Sequence, residues 1–305
     1  MLNHHPEIAI PGESHFIPAL WDRYRRRPRT EALLADLGCL RQMHEWQIDL
    51  EGLCRHLPQE ACFSEVIQGV YRSYAQARGK PRFGDKTPRH MRHLDLLEHI
   101  FPGAQYVHIV RDGRDAALSY GEMPRRPRFS WVYPRGLADF AFCWRDEVLR
   151  ARRFGSTVAA GRYFEVRYED LVTEPEARLR EISSFLGLRF DTAMLEYHRD
   201  VGPRARTNHK RLAEPPSPGL TDWRTQMRAV EIERFEAIAG DLLTALGYER
   251  AFPNPSAWSR TSAVLGCAAS RGRLCFMRLA MPIVHRSPVW RLRQTQLLRA
   301  RQYAR

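Results

Sequence analysis

Short apolar runs alternate along this chain with longer segments in which apolar residues recur at helical spacing. Predicted strands lie at 104–110 and 163–168, and Phe83 is predicted to lie on a further short strand. Predicted helices cover 13–25, 30–45, 47–57, 59–78, 90–100, 113–121, 136–153, 174–186 and 228–246, with a connection at 6–11. Thr173 and Glu176 have the spacing of a capping box for the helix at 174–186. Strands that alternate with long helices indicate a parallel sheet, so the sequence predicts an α/β fold.

One predicted strand ends abruptly at a charged turn and continues into a helix at about Gly113. In open α/β sheets the ligand binds outside the carboxyl ends of the strands, which is where Arg111 emerges. Ser119 lies about two turns into the helix and can point back at the same ligand. A guanidinium and a hydroxyl beside a helix N-terminus suit a phosphate group. The structural alternative is that Arg111 pairs with Asp115 or caps a neighbouring helix.

The composition points to one large domain with a basic appendage. The net charge is +13, and Ser259 to Arg305 contain ten arginines and no acidic residue. We therefore predict a domain at 1–255 and a basic helical tail at 256–305. Six cysteines without metal-type spacing favour reduced thiols, and neither a signal peptide nor a membrane-spanning run is found, so we expect a cytoplasmic protein.

Three motifs together resemble a known family. They are RDGRDAALS at 111–119, GDKTP at 84–88 and PGESHF at 11–16. In this order and spacing they resemble the sulfotransferases that use 3′-phosphoadenosine 5′-phosphosulfate (PAPS), especially the bacterial and tyrosylprotein branch, over roughly residues 1–250. The resemblance implies a P-loop-NTPase-like fold of three layers, with a central parallel sheet flanked by helices. The family's first strand and 5′-phosphosulfate loop are missing from this sequence, and we expect them just before Met1.

The resemblance also implies catalytic residues. Lys86 of the GDKTP turn would touch the transferring group, although an exposed turn lysine is the structural alternative. Glu13 would remove the acceptor proton, unless it merely caps the following helix. His15 is the reserve base, because histidine suits proton transfer near neutral pH. The hydroxyl of Thr207 would support the transferring group.

The cofactor-binding residues follow from the same resemblance. Arg111 and Ser119 would hold the 3′-phosphate of PAPS, and Tyr168 would lie near the adenine. Gly219 and Arg224 would also help to bind the 3′-phosphate. A half-buried strand tyrosine is the structural alternative for Tyr168. The family expects a basic residue where this chain has Asp222, which departs from the family pattern.

The implied reaction is in-line transfer of a sulfuryl group from PAPS to a hydroxyl or amine, without a metal. The acceptor is open among sugars, lipids, peptides and small molecules, acidic ones included. The alternative function is a non-catalytic nucleotide- or anion-binding protein that has lost the 5′-phosphosulfate loop. No specific nucleic-acid partner is expected, because only the net charge favours one. The basic tail could contact an anionic membrane at its inner face, grip nucleic acid nonspecifically, or dock on the domain with its arginines outward.

Overall fold

The computed structural model of the protein describes residues 1–26, 28–123, 133–200, 214–217, 219, 221–288, 290 and 294. The chain divides into two compact units. The first unit contains Met1–Ala104, Arg189–Pro215 and Leu279–Arg305, and the second contains Gln105–Leu188 and Pro216–Arg278. Both units combine helices with a pair of parallel strands, which confirms the predicted α/β class. The predicted division at residue 255 stays a prediction.

The first unit is mostly helical. Its elements are a 3-10 helix at Leu2–His4, β1 (Ile8–Ala9), α1 (Phe16–Tyr24), α2 (Thr30–Gly38), α3 (Arg41–Trp46), α4 (Leu50–His56), α5 (Phe63–Gln76), β2 (Arg82–Phe83), a 3-10 helix at Pro88–Arg92, α6 (Leu94–Ile100), and 3-10 helices at Thr192–Met194 and Tyr197–Asp200. Strands β1 and β2 are parallel, with Ala9 opposite Phe83. Helix α5 supplies the centre of the core through Phe63, Ile67 and Tyr71, which are fully buried.

Two predictions for the first unit need correction. The single helix predicted at 30–45 is wrong, because Leu40 has an extended backbone that separates α2 from α3. The predicted connection at 6–11 contains the strand β1, whose two residues are too few to show an apolar pattern. The short strand at Phe83 is confirmed.

The second unit contains the longer strands. Its elements are β3 (Tyr106–Val110), α7 (Gly113–Gly121), α8 (Leu137–Gly155), β4 (Tyr163–Arg167), α9 (Tyr168–Thr173), α10 (Pro175–Phe185), α11 (Trp223–Gln226), α12 (Ala229–Ala245) and α13 (Ala257–Arg286). Strands β3 and β4 are parallel. Trp144 and Val148 of α8 pack against Phe235 and Leu242 of α12, and this contact forms the core of the unit. The division between the two units falls within α13.

The predicted capping box at Thr173 is wrong. Thr173 is the last residue of α9, so its backbone is not free to adopt the extended conformation of an N-cap. Helix α10 instead begins with Pro175 in its first turn, and its N-cap residue Glu174 makes no side-chain cap hydrogen bond. Proline is tolerated at this position because the N–H groups of a helix's first turn have no partners within the helix.

The basic tail begins as a docked helix. Ala263 of α13 is buried in the core of the second unit. Arg273 turns inward and binds the Asp139 carboxylate of α8 at 2.9 Å. The expectation that the arginines of a docked tail point outward is therefore wrong at Arg273, while Arg260 and Arg278 are exposed. Among the described helices, none has both the length and the apolar character needed to cross a membrane.

Candidate functional site

The first group of candidate residues lies at the carboxyl ends of β3 and β4. The two strands are in register, with Val110 opposite Arg167. Arg111 and Tyr168 are the next residues along each strand, so they emerge side by side. The Arg111 guanidinium carbon lies 4.7 Å from the centroid of the Tyr168 ring, and the guanidinium donates a hydrogen bond to the Thr221 hydroxyl. These two contacts fix the orientation of an arginine at the edge where α/β proteins bind ligands.

The residues after Arg111 hold the strand-to-helix turn in place. The Asp112 carboxylate accepts the Arg114 N–H at 2.9 Å and caps α7. A Cβ on Gly113 would come within 2.6 Å of two aromatic rings, so the close packing of this turn requires glycine. The Arg114 side chain is buried and lies 2.7 Å from Asp112 and 2.5 Å from Glu236. Asp112 is thus neutralised by Arg114.

Arg111 faces a small pocket that three of the predicted cofactor-binding residues share. They are Arg111, Tyr168 and Gly219, and the other lining residues are Asp115, Glu169, Val172, Thr173, Ser217 and Thr221. Gly219 has a φ of +75°, a left-handed conformation that favours glycine. The pocket therefore offers one guanidinium, several hydroxyl groups and a loop that can approach a ligand closely.

Two predicted residues do not line this pocket. Ser119 lies half-buried on α7. Arg224 pairs with the Glu249 carboxylate at 2.9 Å. Asp222, which departs from the family pattern, caps α11 by accepting the Arg224 N–H at 3.1 Å. The roles of Ser119 and Arg224 at a phosphate stay predictions.

Two carboxylates, Asp115 and Glu169, line the pocket although the sequence did not predict them as ligand-binding residues; Asp115 was considered only as a structural partner of Arg111. Asp115 accepts the Trp223 N–H at 2.8 Å, and burial raises the pKa of Asp115 to about 6. Glu169 accepts the Asp112 N–H and the Tyr248 hydroxyl, both at 2.8 Å. Asp115 therefore loses its charge as the pH falls through about 6, and two donors compensate the charge of Glu169. The available signal was that Glu169 directly follows Tyr168 and that Asp115 lies four positions after Arg111.

The second group of candidate residues lies in the first unit, beyond the carboxyl ends of β1 and β2. Lys86 donates a hydrogen bond from Nζ to Glu13 Oε1 at 2.8 Å, and His15 Nε2 lies 2.9 Å from Glu13 Oε2. Contact first with His15 and then with Lys86 holds the pKa of Glu13 at about 2. The structure therefore brings three of the four predicted catalytic residues together in one ion-pair cluster. The side chain of Lys86 is 68% exposed, so this ion pair lies at the surface.

A buried cluster ties the two loops of this group to each other. Ser14 donates from its hydroxyl to Asp85 at 2.5 Å and from its backbone N–H to the Thr87 hydroxyl at 2.9 Å. Tyr71 donates to the same Asp85 carboxylate at 2.7 Å, and His90 lies 3.0 Å from it. Burial alone would raise the pKa of Asp85, but the contacts with His90, Ser14 and Tyr71 lower it. Glu13 and Lys86 are thus neighbours of residues that are fixed in the core.

Thr207, the fourth predicted catalytic residue, lies outside the described residues. Within the described part of the chain, the acidic, histidine and cysteine side chains form no group of three or more that could hold a metal ion.

Comparison with known proteins identifies the family. The model described as "Sulfotransferase family" matches residues 1–192, which is more than half of the chain. The chain belongs to the sulfotransferase family. The matched segment contains both groups of candidate residues up to Tyr168, including all three motifs of the sequence analysis.

Several sulfotransferases resemble this one at low identity. A "Putative protein-tyrosine sulfotransferase" of Caenorhabditis briggsae is 20% identical over 263 residues, which cover 84% of this chain and 85% of the relative. The "Omega-hydroxy-beta-dihydromenaquinone-9 sulfotransferase Stf3" of Mycobacterium tuberculosis is 25% identical over 183 residues, 56% of this chain and 42% of the relative. The solved "Sulfotransferase Domain from the Synechococcus PCC 7002 Olefin Synthase" has 23% identity and a TM-score of 0.54, with 81% of this chain and 88% of that chain covered. This last likeness shows a shared fold.

Proposed function

We propose that this sulfotransferase moves a sulfuryl group from PAPS to a hydroxyl or amine of an acceptor. The observation that carries the proposal is the position of Arg111 at the end of β3, held between Tyr168 and Thr221. A guanidinium presents a planar fork of N–H donors that matches the oxygens of a phosphate. We assign it to the 3′-phosphate of PAPS, within the P-loop-like, three-layer fold that the motifs imply.

The remaining groups of the pocket suit this ligand. Thr173, Ser217 and Thr221 supply hydroxyl groups, which can donate to phosphate oxygens. Protonation of Asp115, whose pKa is about 6, removes a negative charge that would oppose the phosphate. Tyr168 offers an aromatic ring beside the guanidinium, where an adenine could stack.

The transfer breaks the bond between sulfur and the 5′-phosphate oxygen and forms a bond from sulfur to the acceptor oxygen or nitrogen. Adenosine 3′,5′-bisphosphate leaves, and the acceptor proton must pass to a base. Such a reaction depends on fixed positive charge at the transferring oxygens and on positioning. Lys86 supplies that charge in this proposal, and Glu13 accepts the proton.

The ion pair between Lys86 and Glu13 explains how one cluster could serve both tasks. With a pKa of about 2, Glu13 is a weak base while His15 and Lys86 contact it. Lys86 is largely exposed and is attracted to an anionic sulfuryl group. When Lys86 turns away, Glu13 loses a cation that stabilises its charge, and its pKa rises. Arrival of the donor would therefore activate the base.

The acceptor class stays open in this proposal. The names of the two relatives indicate different acceptors, a protein tyrosine in one and a menaquinone derivative in the other. Membership of the family therefore does not determine the acceptor of this chain.

The test is transfer of labelled sulfate from PAPS to a panel of sugar, lipid, peptide and small-molecule acceptors. We expect Glu13→Gln to reduce turnover by roughly 100-fold or more, as loss of a general base does, with binding of adenosine 3′,5′-bisphosphate unchanged. His15→Gln is the matched control and should retain most of the turnover. Unchanged turnover in Glu13→Gln would assign the base to His15 or another residue. Binding of the nucleotide by the parent without turnover of any acceptor would favour the non-catalytic alternative.

A further inference from the structure

Helix α13 carries a row of large apolar side chains on its solvent face. Trp258, Leu265 and Phe276 are 71%, 67% and 66% exposed. Steps of 7 and 11 positions return to nearly the same side of a helix with 3.6 residues per turn, so these side chains form one row. A docked surface helix normally presents polar residues to solvent, and an exposed apolar row marks an interaction surface.

The opposite face of the helix already holds it in place. Ala263, Ser270 and Met277 are buried and follow each other at steps of seven. Arg273 adds its ion pair with Asp139 at 2.9 Å. The exposed row is therefore not needed to dock the helix, and within the described part of the chain no residue covers it.

The charges on the solvent face of α13 are all of one sign. Arg260, Arg271 and Arg278 are exposed, and their spacing of 11 and 7 positions places them in a second row, roughly 145° around the helix from the apolar row. Val264, which is 69% exposed, lies between the two rows, so both rows border the same solvent face. From Ser256 to Arg305 the sequence has no acidic residue. A partner of this face must accept apolar side chains and carry negative charge next to them.

We propose that the exposed face of α13 binds the surface of an anionic phospholipid membrane. The apolar row would enter the boundary between headgroups and acyl chains, while the three arginines pair with lipid phosphates. The helix lies on the membrane in this arrangement and does not cross it. The surface is separate from the pocket at Arg111, so this inference does not rest on the proposed sulfuryl transfer.

The test is co-sedimentation of the full chain with phosphatidylcholine vesicles that contain or lack phosphatidylglycerol, without PAPS. We expect binding to the anionic vesicles only, and release by high salt. Combined Leu265→Glu and Phe276→Glu should weaken binding at least roughly tenfold, because charged side chains replace the apolar row. Val230→Glu, which changes an exposed apolar residue of α12, is the matched control and should bind as the parent does.

A second variant replaces charge without changing the apolar row. The triple variant carries Arg260→Gln, Arg271→Gln and Arg278→Gln. It should bind anionic vesicles more weakly, by roughly fivefold for each arginine that is replaced. Circular dichroism should show both variants folded, since every replaced side chain is exposed. Equal vesicle binding by parent and variants would overturn the proposal. Dimerisation is the other result that would overturn the proposal. If the parent formed a dimer that did not bind vesicles, and the combined Leu265→Glu and Phe276→Glu variant were monomeric, a second copy of the chain would cover this face.

Discussion

The Arg111 guanidinium lies over the Tyr168 ring, with 4.7 Å between the guanidinium carbon and the ring centroid. This contact joins the ends of two parallel strands, β3 and β4, and sets the plane of the guanidinium. The N–H groups at its rim that do not donate to Thr221 can face an anion. In a partly exposed site such a stack contributes about 0.5–1 kcal/mol.

Tyr168→Leu should therefore weaken the binding of adenosine 3′,5′-bisphosphate several-fold, because the guanidinium loses the ring that orients it. Tyr168→Phe keeps the ring and should bind the nucleotide as the parent does. Isothermal titration calorimetry of the three proteins measures this difference. Equal losses in the two variants would mean that the hydroxyl of Tyr168, and not its ring, supports the site.

The buried Arg114 gives a prediction about stability. Arg114→Met removes the cation that the buried carboxylates of Asp112 and Glu236 share and leaves Glu236 with only Arg250, at 3.7 Å, as a cation among the described residues, which should lower the free energy of unfolding by about 3–5 kcal/mol. The control is Arg145→Met, since Arg145 pairs with Asp241 on the surface and should contribute only about 0.2–1 kcal/mol. Urea unfolding of both variants provides the comparison. Similar losses in the two variants would contradict the anchoring role of Arg114.

Much of the second unit could be predicted from the sequence. The helix predicted at 113–121 matches α7 because an apolar strand that ends at a charged turn is followed directly by a helical pattern. In the first unit, the short strand at Phe83 was also predicted. The strand β1 was missed, because two residues between prolines carry no periodic signal and depend on pairing with β2.

The motifs predicted which candidate residues lie near each other better than they predicted the hydrogen-bond and ion-pair partners of each residue. The ion pair of Glu13 with Lys86 joins two loops that are 73 positions apart in the sequence, whereas His15 lies in the same loop as Glu13. Asp85 shows the limit of sequence reasoning, since its partners Ser14, Tyr71 and His90 come from three separate segments of the chain. Such networks depend on how the loops pack, which a single sequence does not display.

The raised pKa of Asp115 predicts a pH dependence of stability. Burial raises this pKa from an ordinary value of 3.8 to about 6, so the folded state binds a proton more tightly than the unfolded state does. This contribution to stability is complete below about pH 4 and is lost as the pH rises through 6.

Asp115→Asn should remove that dependence and still accept the Trp223 N–H. Relative to Asp115→Asn, the parent should therefore lose thermal stability between about pH 4 and pH 7 and change little above that range. Melting temperatures of both proteins across this range test the prediction. Parallel curves would show that the pKa of Asp115 is not raised.

The assignment of Arg111 to the 3′-phosphate is tested most directly by calorimetry with two nucleotides, adenosine 3′,5′-bisphosphate and adenosine 5′-monophosphate. The parent should prefer the bisphosphate by roughly ten- to hundredfold, the contribution of a charge-assisted phosphate contact. Arg111→Ala should lose most of this preference, while Arg180→Ala, which removes an exposed arginine of α10, should keep the preference. An undiminished preference in Arg111→Ala would contradict the assignment.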